Sequence, residues 1–368
     1  MNGKLLPLFT MAIFLGALAP PDASVCLPAG TPASEAETLI QACHWKRARA
    51  ILEPEVRDHP QDARSIYLLT QVKMAFEDFS GALPLAEHAV ELDGKNSNYH
   101  LILGQVYGEM AARASIFVAG SLAIKFRKEV EIALELDPQN LDALDSMMQF
   151  KFQAPGLMGG DKDQARALAA KIMSINVREG YISNSKLADL QKNIPEVERC
   201  YRKAVEADPQ NYYALTLLAK FYSRSPHAQY DLAVKNAQQA AALDPLRAEA
   251  YGILARVFAL QGRGIDLEPI LTTAQEKVSD DLLPFYEAAQ ALVETGKDLS
   301  RAEGYAKRYL SQEPEGDEPG MADAHRLLGL VYEKQGRSPA ARAEFETAVR
   351  LRPNFKAAKK DLARINPQ

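Results

Sequence analysis

Between Ala322 and Phe355 the apolar positions fall onto two short helical faces. Leu328, Gly329 and Tyr332 make the first, Gly336 breaks it, and Ala341, Phe345 and Ala348 make the second before Pro353. Residues three and four apart share a helix face, so the pattern predicts two amphipathic helices joined by a tight turn. Gly329 and Ala341 are small where the helices approach, Tyr332 and Phe345 fill the space beside them, and Pro353 cannot continue the second helix. One such pair cannot bury its own apolar face and must stack on further copies.

The same pattern divides almost the whole chain into nine units, at 29–62, 63–96, 97–140, 141–179, 180–211, 212–247, 248–280, 281–316 and 322–355. Units one, three and nine carry it most fully, whereas two and five are placed mainly by register. Pro54 is expected to kink or shorten the second helix of unit one. An acidic spacer, Glu315 to Gly320, precedes the last unit, and a charged helix at 356–366 suits the covering of the last apolar face. No alternating strand pattern recurs, and the expected class is all-α.

A paired-helix unit of about 34 residues with these small and aromatic positions resembles the tetratricopeptide repeat (TPR) family. The resemblance implies a right-handed α-solenoid of antiparallel helix pairs, in which first helices line a concave surface that takes extended peptides or partner helices. Counted from each repeat start, the exposed positions of those helices hold Tyr67 and Gln71, Gln105, Asp145 and Gln149, Tyr213 and Lys220, Arg256, and Arg326. This mixture of amide, aromatic and charged groups suits peptide backbone and carboxylate binding. No paired Lys and Arg clamp for a chain-terminal carboxylate stands out.

Repeats three and four are enlarged. The Gly104–Pro138 spacing exceeds Gly329–Pro353 by about ten residues, which places an apolar insertion near Ala112–Lys125 between the helices of repeat three. Repeat four carries Ala154-Pro155-Gly156-Leu157-Met158-Gly159-Gly160 at the same turn, and repeat six a smaller enlargement around Ser225-Pro226-His227. The pairing of the first two resembles a group of secreted bacterial TPR proteins of no established activity. Equivalent turns lie along one edge of a stack, so the two insertions are expected to touch. The expectation is that Ile116, Phe117 and Val118 then hide against Pro155, Leu157 and Met158.

Composition narrows the function. The chain has 368 residues, 47% hydrophobic and 25% charged, with a formal net charge of -5 and no block of like charge. That argues against nucleic acid as the main partner, since phosphate binding needs concentrated Lys and Arg. Lys4 followed by the apolar run Leu5–Ala19 reads as a secretory signal over residues 1–24, short for a membrane span, with an uncleaved anchor as the alternative. Val25 is too large for the usual lipid-attachment motif at Cys26. There is no Asn-x-Ser/Thr acceptor, which favours a bacterial envelope. The expected location is therefore periplasmic or secreted, with no membrane span after signal removal.

Candidate chemistry is sparse. His-Glu-x-x-His, Gly-x-Ser-x-Gly and Cys-x-x-Cys are all missing. Gly156–Lys162 has the glycines of a phosphate loop but lacks its Gly-Lys-Ser/Thr ending. It reads as a turn with glycines at special backbone angles and Asp161 capping the next helix. The six histidines form no ligand-spaced pair and are expected at surface or edge positions. Cys26 and Cys43 can pair in an oxidising compartment, and Cys200 reads as a buried free thiol. No catalytic, cofactor or metal residue is expected. The leading reading is a non-enzymatic interaction scaffold for a protein or peptide partner. The alternative is a small-ligand binder or enzyme with a pocket at the enlarged turns of repeats three and four.

Overall fold

The computed structural model describes residues 30–224, 228–316 and 319–365. The expected signal segment, Cys26 and the Ser225-Pro226-His227 enlargement lie outside them. Among the described residues the chain forms nineteen α-helices, one 3-10 turn and no strand. They come as consecutive pairs: α1 (Pro32–Gln41) with α2 (Trp45–Asp58), α3 (Ala63–Ala75) with α4 (Phe79–Leu92), and α5 (Ser97–Arg113) with α6 (Ile116–Leu136). Then follow α7 (Leu141–Gln153) with α8 (Lys162–Ile175), α9 (Val177–Leu190) with α10 (Ile194–Ala207), and α11 (Tyr212–Arg224) with α12 (Tyr230–Leu243). The last pairs are α13 (Ala248–Gln261) with α14 (Gly264–Lys277), α15 (Leu283–Thr295) with α16 (Leu299–Tyr309), and α17 (Met321–Lys334) with α18 (Ser338–Leu351), before the terminal α19 (Lys356–Ile365). Two compact units divide the chain. One runs up to Gln41 and through Trp45–Asp208, and the other holds Pro209–Gln368 with the Ala42–His44 link.

Short polar side chains set where the pairs begin. Asp62, Asn96, Asn140 and Asn176 stand before α3, α5, α7 and α9 and each accepts a hydrogen bond from an N–H of the first turn. Those N–H groups have no partner inside the helix, so each cap removes an orphan donor and is worth about 1 kcal/mol. In the second unit Asn211 takes the N–H of Ala214 at 2.9 Å in the same way.

Alanine sets how closely the pairs pack. Ala82, Ala86 and Ala89 on α4, Ala233, Ala237 and Ala240 on α12, and Ala341 and Ala348 on α18 are all fully buried. They recur at helical spacing and face the partner helix. Bulk comes from the first helices and from single aromatic residues. Phe345 is fully buried beside Gly329, where an added Cβ would stand 2.5 Å from its ring. Val130 similarly crowds Gly104, with 3.1 Å to such a Cβ. The glycines are therefore required by helix contact, as the apolar pattern implied.

Three local expectations are corrected. Helix α2 runs a full 14 residues through Pro54 and is not shortened. The extra residues of repeat three form no separate loop: they lengthen α5 to 17 residues and α6 to 21, leaving only Ala114 and Ser115 between them. His44 and His100 are buried; His100 bonds Glu129 at 2.7 Å and the Gly94 carbonyl at 3.1 Å, which satisfies both ring nitrogens inside the fold. The Gly156–Gly160 turn behaves as read. Gly159 has φ +97°, and Asp161 caps α8 by accepting from the N–H groups of Asp163 and Gln164. The terminal helix α19 buries Ala358, and its Arg364 pairs with Glu333 on α17. No helix among the described residues is long and apolar enough to cross a membrane.

Candidate functional site

First helices touch first helices. In one unit α1, α3, α5, α7 and α9 follow one another in contact, and in the other α11, α13, α15 and α17 do. Polar side chains that leave the core therefore meet across helix boundaries.

In the first unit the meeting point is Asp145 on α7. It accepts from Gln149 Nε2 at 2.8 Å on its own helix, and from Ser183 Oγ and Lys186 Nζ on α9, each at 2.7 Å. Asp142 lies one turn earlier. Burial, and then the Asp145 charge, push its carboxyl up to about 6 from the ordinary 3.8, while Lys186 pulls the other way. Two carboxylates crowded into one place resist ionising together. On α3, Tyr67 packs on Tyr99 with ring centroids 5.3 Å apart. Burial and then the Asp142 charge hold its hydroxyl well above the usual tyrosine range, opposed by a hydrogen bond with Gln71. Gln71 is buried, and Gln105 on the intervening α5 is half-buried.

The Asp142 environment makes a pH prediction. A folded-state pKa raised above the unfolded value gives stability that is full below about pH 4 and is lost as pH rises through about 6. Replacing Asp142 by Asn removes that loss. After allowance for partial exposure, Asp142→Asn is expected to stabilise the first unit by about 1–2 kcal/mol at pH 7 and by little at pH 4. Melting curves of both proteins at the two pH values check this; an equal shift at both would show that charge is not the cause.

In the second unit the polar groups gather around Arg256 on α13. Its Nη2 donates to both carboxylate oxygens of Glu294, at 2.9 and 2.7 Å, and Nη1 donates to Gln290 at 3.3 Å. Glu287 Oε2 stands 3.7 Å from Nη1, and Arg224 of α11 bonds the other Glu287 oxygen. Lys220 faces Glu249 at 3.5 Å. Tyr213 is half-buried at the start of α11. Arg326 bonds Asp361 at 2.6 Å and thereby holds α19.

The structure thus joins Tyr67 to Gln71 and Asp145 to Gln149, and it corrects the expected exposure of Gln71, Gln149 and Arg256, which are buried because neighbouring first helices close over them. It places Arg256 and Arg326 in separate ion-pair clusters and leaves Tyr213 and Lys220 two turns apart on α11. Sequence reasoning missed Asp142, Ser183, Lys186, Glu287 and Glu294. One had a signal: Glu287 is the fifth residue of α15, as Tyr67 is of α3 and Asp145 of α7. A repeat start placed at 281 instead of Leu283 hides that register. Ser183 and Lys186 reach Asp145 only through helix packing and had none.

Comparison with known proteins adds the following. Residues 286–354 match a family model described as tetratricopeptide repeat. No curated protein matches the chain. Among solved structures, yeast Tom70 is similar at 13% identity and TM-score 0.51, over 91% of this chain and 80% of that one. A tetratricopeptide repeat protein of Parabacteroides merdae is similar at 15% identity and TM-score 0.48, over 71% of this chain and 98% of its own. A thermophilic TPR protein of Thermus thermophilus covers 56% of this chain and 96% of its own, at 16% identity and TM-score 0.45. Helix pairs follow one another within each unit, so the chain has an all-α, solenoid-type fold, and its residues 286–354 match the tetratricopeptide repeat family.

Proposed function

We propose that the chain is a non-enzymatic scaffold that binds an extended peptide or a helix of a partner protein on the faces built by its first helices. The observation that carries the reading is the Asp142–Asp145–Ser183–Lys186 cluster, where two first helices pool charged and hydrogen-bonding groups beside the Tyr67–Tyr99 pair. The half-buried Asp145, Lys186, Gln105 and Tyr67 present carboxylate, amine, amide and aromatic groups that match the N–H, C=O and side chains of a peptide. Lys4 and the apolar Leu5–Ala19 support export to the periplasm or envelope as the setting. A small-ligand site at the enlarged turns would need converging polar groups. The polar contacts described there, among them Arg127 to the Met158 carbonyl at 3.2 Å and to Glu131 at 3.5 Å, tie the turn to α6.

A photo-reactive residue in place of Gln105 or Lys220, on first helices, is expected to trap a protein adduct in envelope extract. The same group at Arg202 on α10 or Glu346 on α18, both exposed on second helices, is expected to trap little. Equal yields from the two faces would overturn the assignment.

A further inference from the structure

The enlarged turns of repeats three and four do touch, but they do not hide their apolar side chains. Arg127 on α6 donates to the Met158 carbonyl at 3.2 Å, and the Met158 methyl lies 3.9 Å from where a Cβ on Gly120 would stand. Yet Phe117 is 93% exposed and Leu157 fully so, with Val118 and Ile124 about half exposed. Exposed apolar side chains of this size grouped on one edge mark a contact surface.

Leu157 is held outward by a rigid support. The turn carries hydrogen bonds from Met158 N and Gly160 N to the Pro155 carbonyl at 2.8 and 3.1 Å, and from Asp161 N to the Lys151 carbonyl at 2.7 Å. Gly160 admits no side chain, since a Cβ there would stand 1.7 Å from the Ala154 oxygen. Phe117 sits in the first turn of a 21-residue helix. Neither residue lies on a loop free to fold back over the other.

Within the two segments themselves the charged residues are all basic. Residues 110–128 and 146–160 contain Arg113, Lys125, Arg127, Lys128 and Lys151 and no Asp or Glu, in a chain of net charge -5. The carboxylates beside them are engaged: Glu77 and Glu109 with Arg113, Glu129 with His100, Glu131 with Arg127, Asp163 with Arg166, and Asp161 as the cap of α8, which leaves the lysines to carry the positive charge of this edge. Lys125 and Lys128 are exposed on the same helix as Phe117 and Ile124.

We propose that this edge docks on an anionic lipid surface, with Phe117, Val118 and Leu157 entering the acyl boundary and Lys125 and Lys128 meeting the headgroups. Rigid apolar projections backed by cations are the chemistry of interfacial binding. A protein partner would instead be met by an apolar centre with a mixed polar rim.

The test uses the full chain with Phe117→Trp, read as the fluorescence difference from the parent, so that Trp45 and the apolar leader are common to both. Added vesicles contain 30 mol% phosphatidylglycerol with bromine-labelled acyl chains. A blue shift and quenching at position 117 are expected, absent with neutral phosphatidylcholine vesicles and reversed by salt. Lys125→Glu with Lys128→Glu is expected to weaken vesicle binding by roughly twentyfold. Leu157→Ser is expected to abolish the quenching while leaving the melting curve unchanged, because Leu157 contacts solvent. Trp at 117 that stays unquenched on bound protein overturns the proposal. So does equal response to neutral lipid, or a blue shift without vesicles that tracks self-association.

Discussion

Replacing Phe345 by alanine is expected to destabilise the C-terminal repeats by about 4 kcal/mol, the cost of truncating a fully buried aromatic ring. The ring fills the space over Gly329, so its removal leaves a void that two rigid helices cannot close. Repeats contact mainly their neighbours, and the loss should therefore stay local. Hydrogen exchange within 321–365 is expected to accelerate while the first unit is unaffected; uniform acceleration along the chain would contradict a stack of separable repeats. Gly329→Ala gives the companion measurement. Alone it drives a methyl into the ring and destabilises. In the Phe345→Ala background it has room, and the helix propensity of alanine over glycine, about 1 kcal/mol, should make it stabilising.

The second large effect is expected at Arg256. Arg256 and Glu287 are both buried, with side chains 8% and 11% exposed. Such a pair adds little net stability, but removing one partner strands the other. Arg256→Ala is expected to cost about 3 kcal/mol, because Glu287 keeps only Arg224 and Glu294 must turn to water. Arg256→Met combined with Glu287→Gln removes both charges, preserves most of the volume and should recover at least half of the loss. Chemical denaturation of the three proteins decides it. If the double variant is as damaged as the single one, packing rather than stranded charge is the cause.

How far the sequence could be read depended on how local each determinant is. Gly329, Tyr332, Ala341 and Phe345 announced their helix pair because the contacts they make lie within one repeat and return at a fixed period. The Asp161 cap was legible for the same reason, its partners being two and three residues away. Phe117 was misread. An apolar insertion was taken to need burial, whereas the extra residues extend α5 and α6 and carry the side chain out past the neighbouring turn. His100 was misread because its partner Glu129 stands a whole helix away. The Asp145 cluster was half visible: Gln149 follows from helical spacing, whereas Lys186 depends on how α9 lies against α7.

The fully buried alanines carry a mechanical consequence. Where a helix meets its neighbour through small, fully buried alanines, little can be compressed, and the spacing between them is nearly fixed. Helix pairs joined this way behave as stiff plates, linked in series by the contacts between repeats. A pulling force on either unit would pass through each link in turn, and the weakest link would open before any helix unwound. Extension should then proceed in discrete, repeat-sized steps at low force, with the plates re-seating when the load is released.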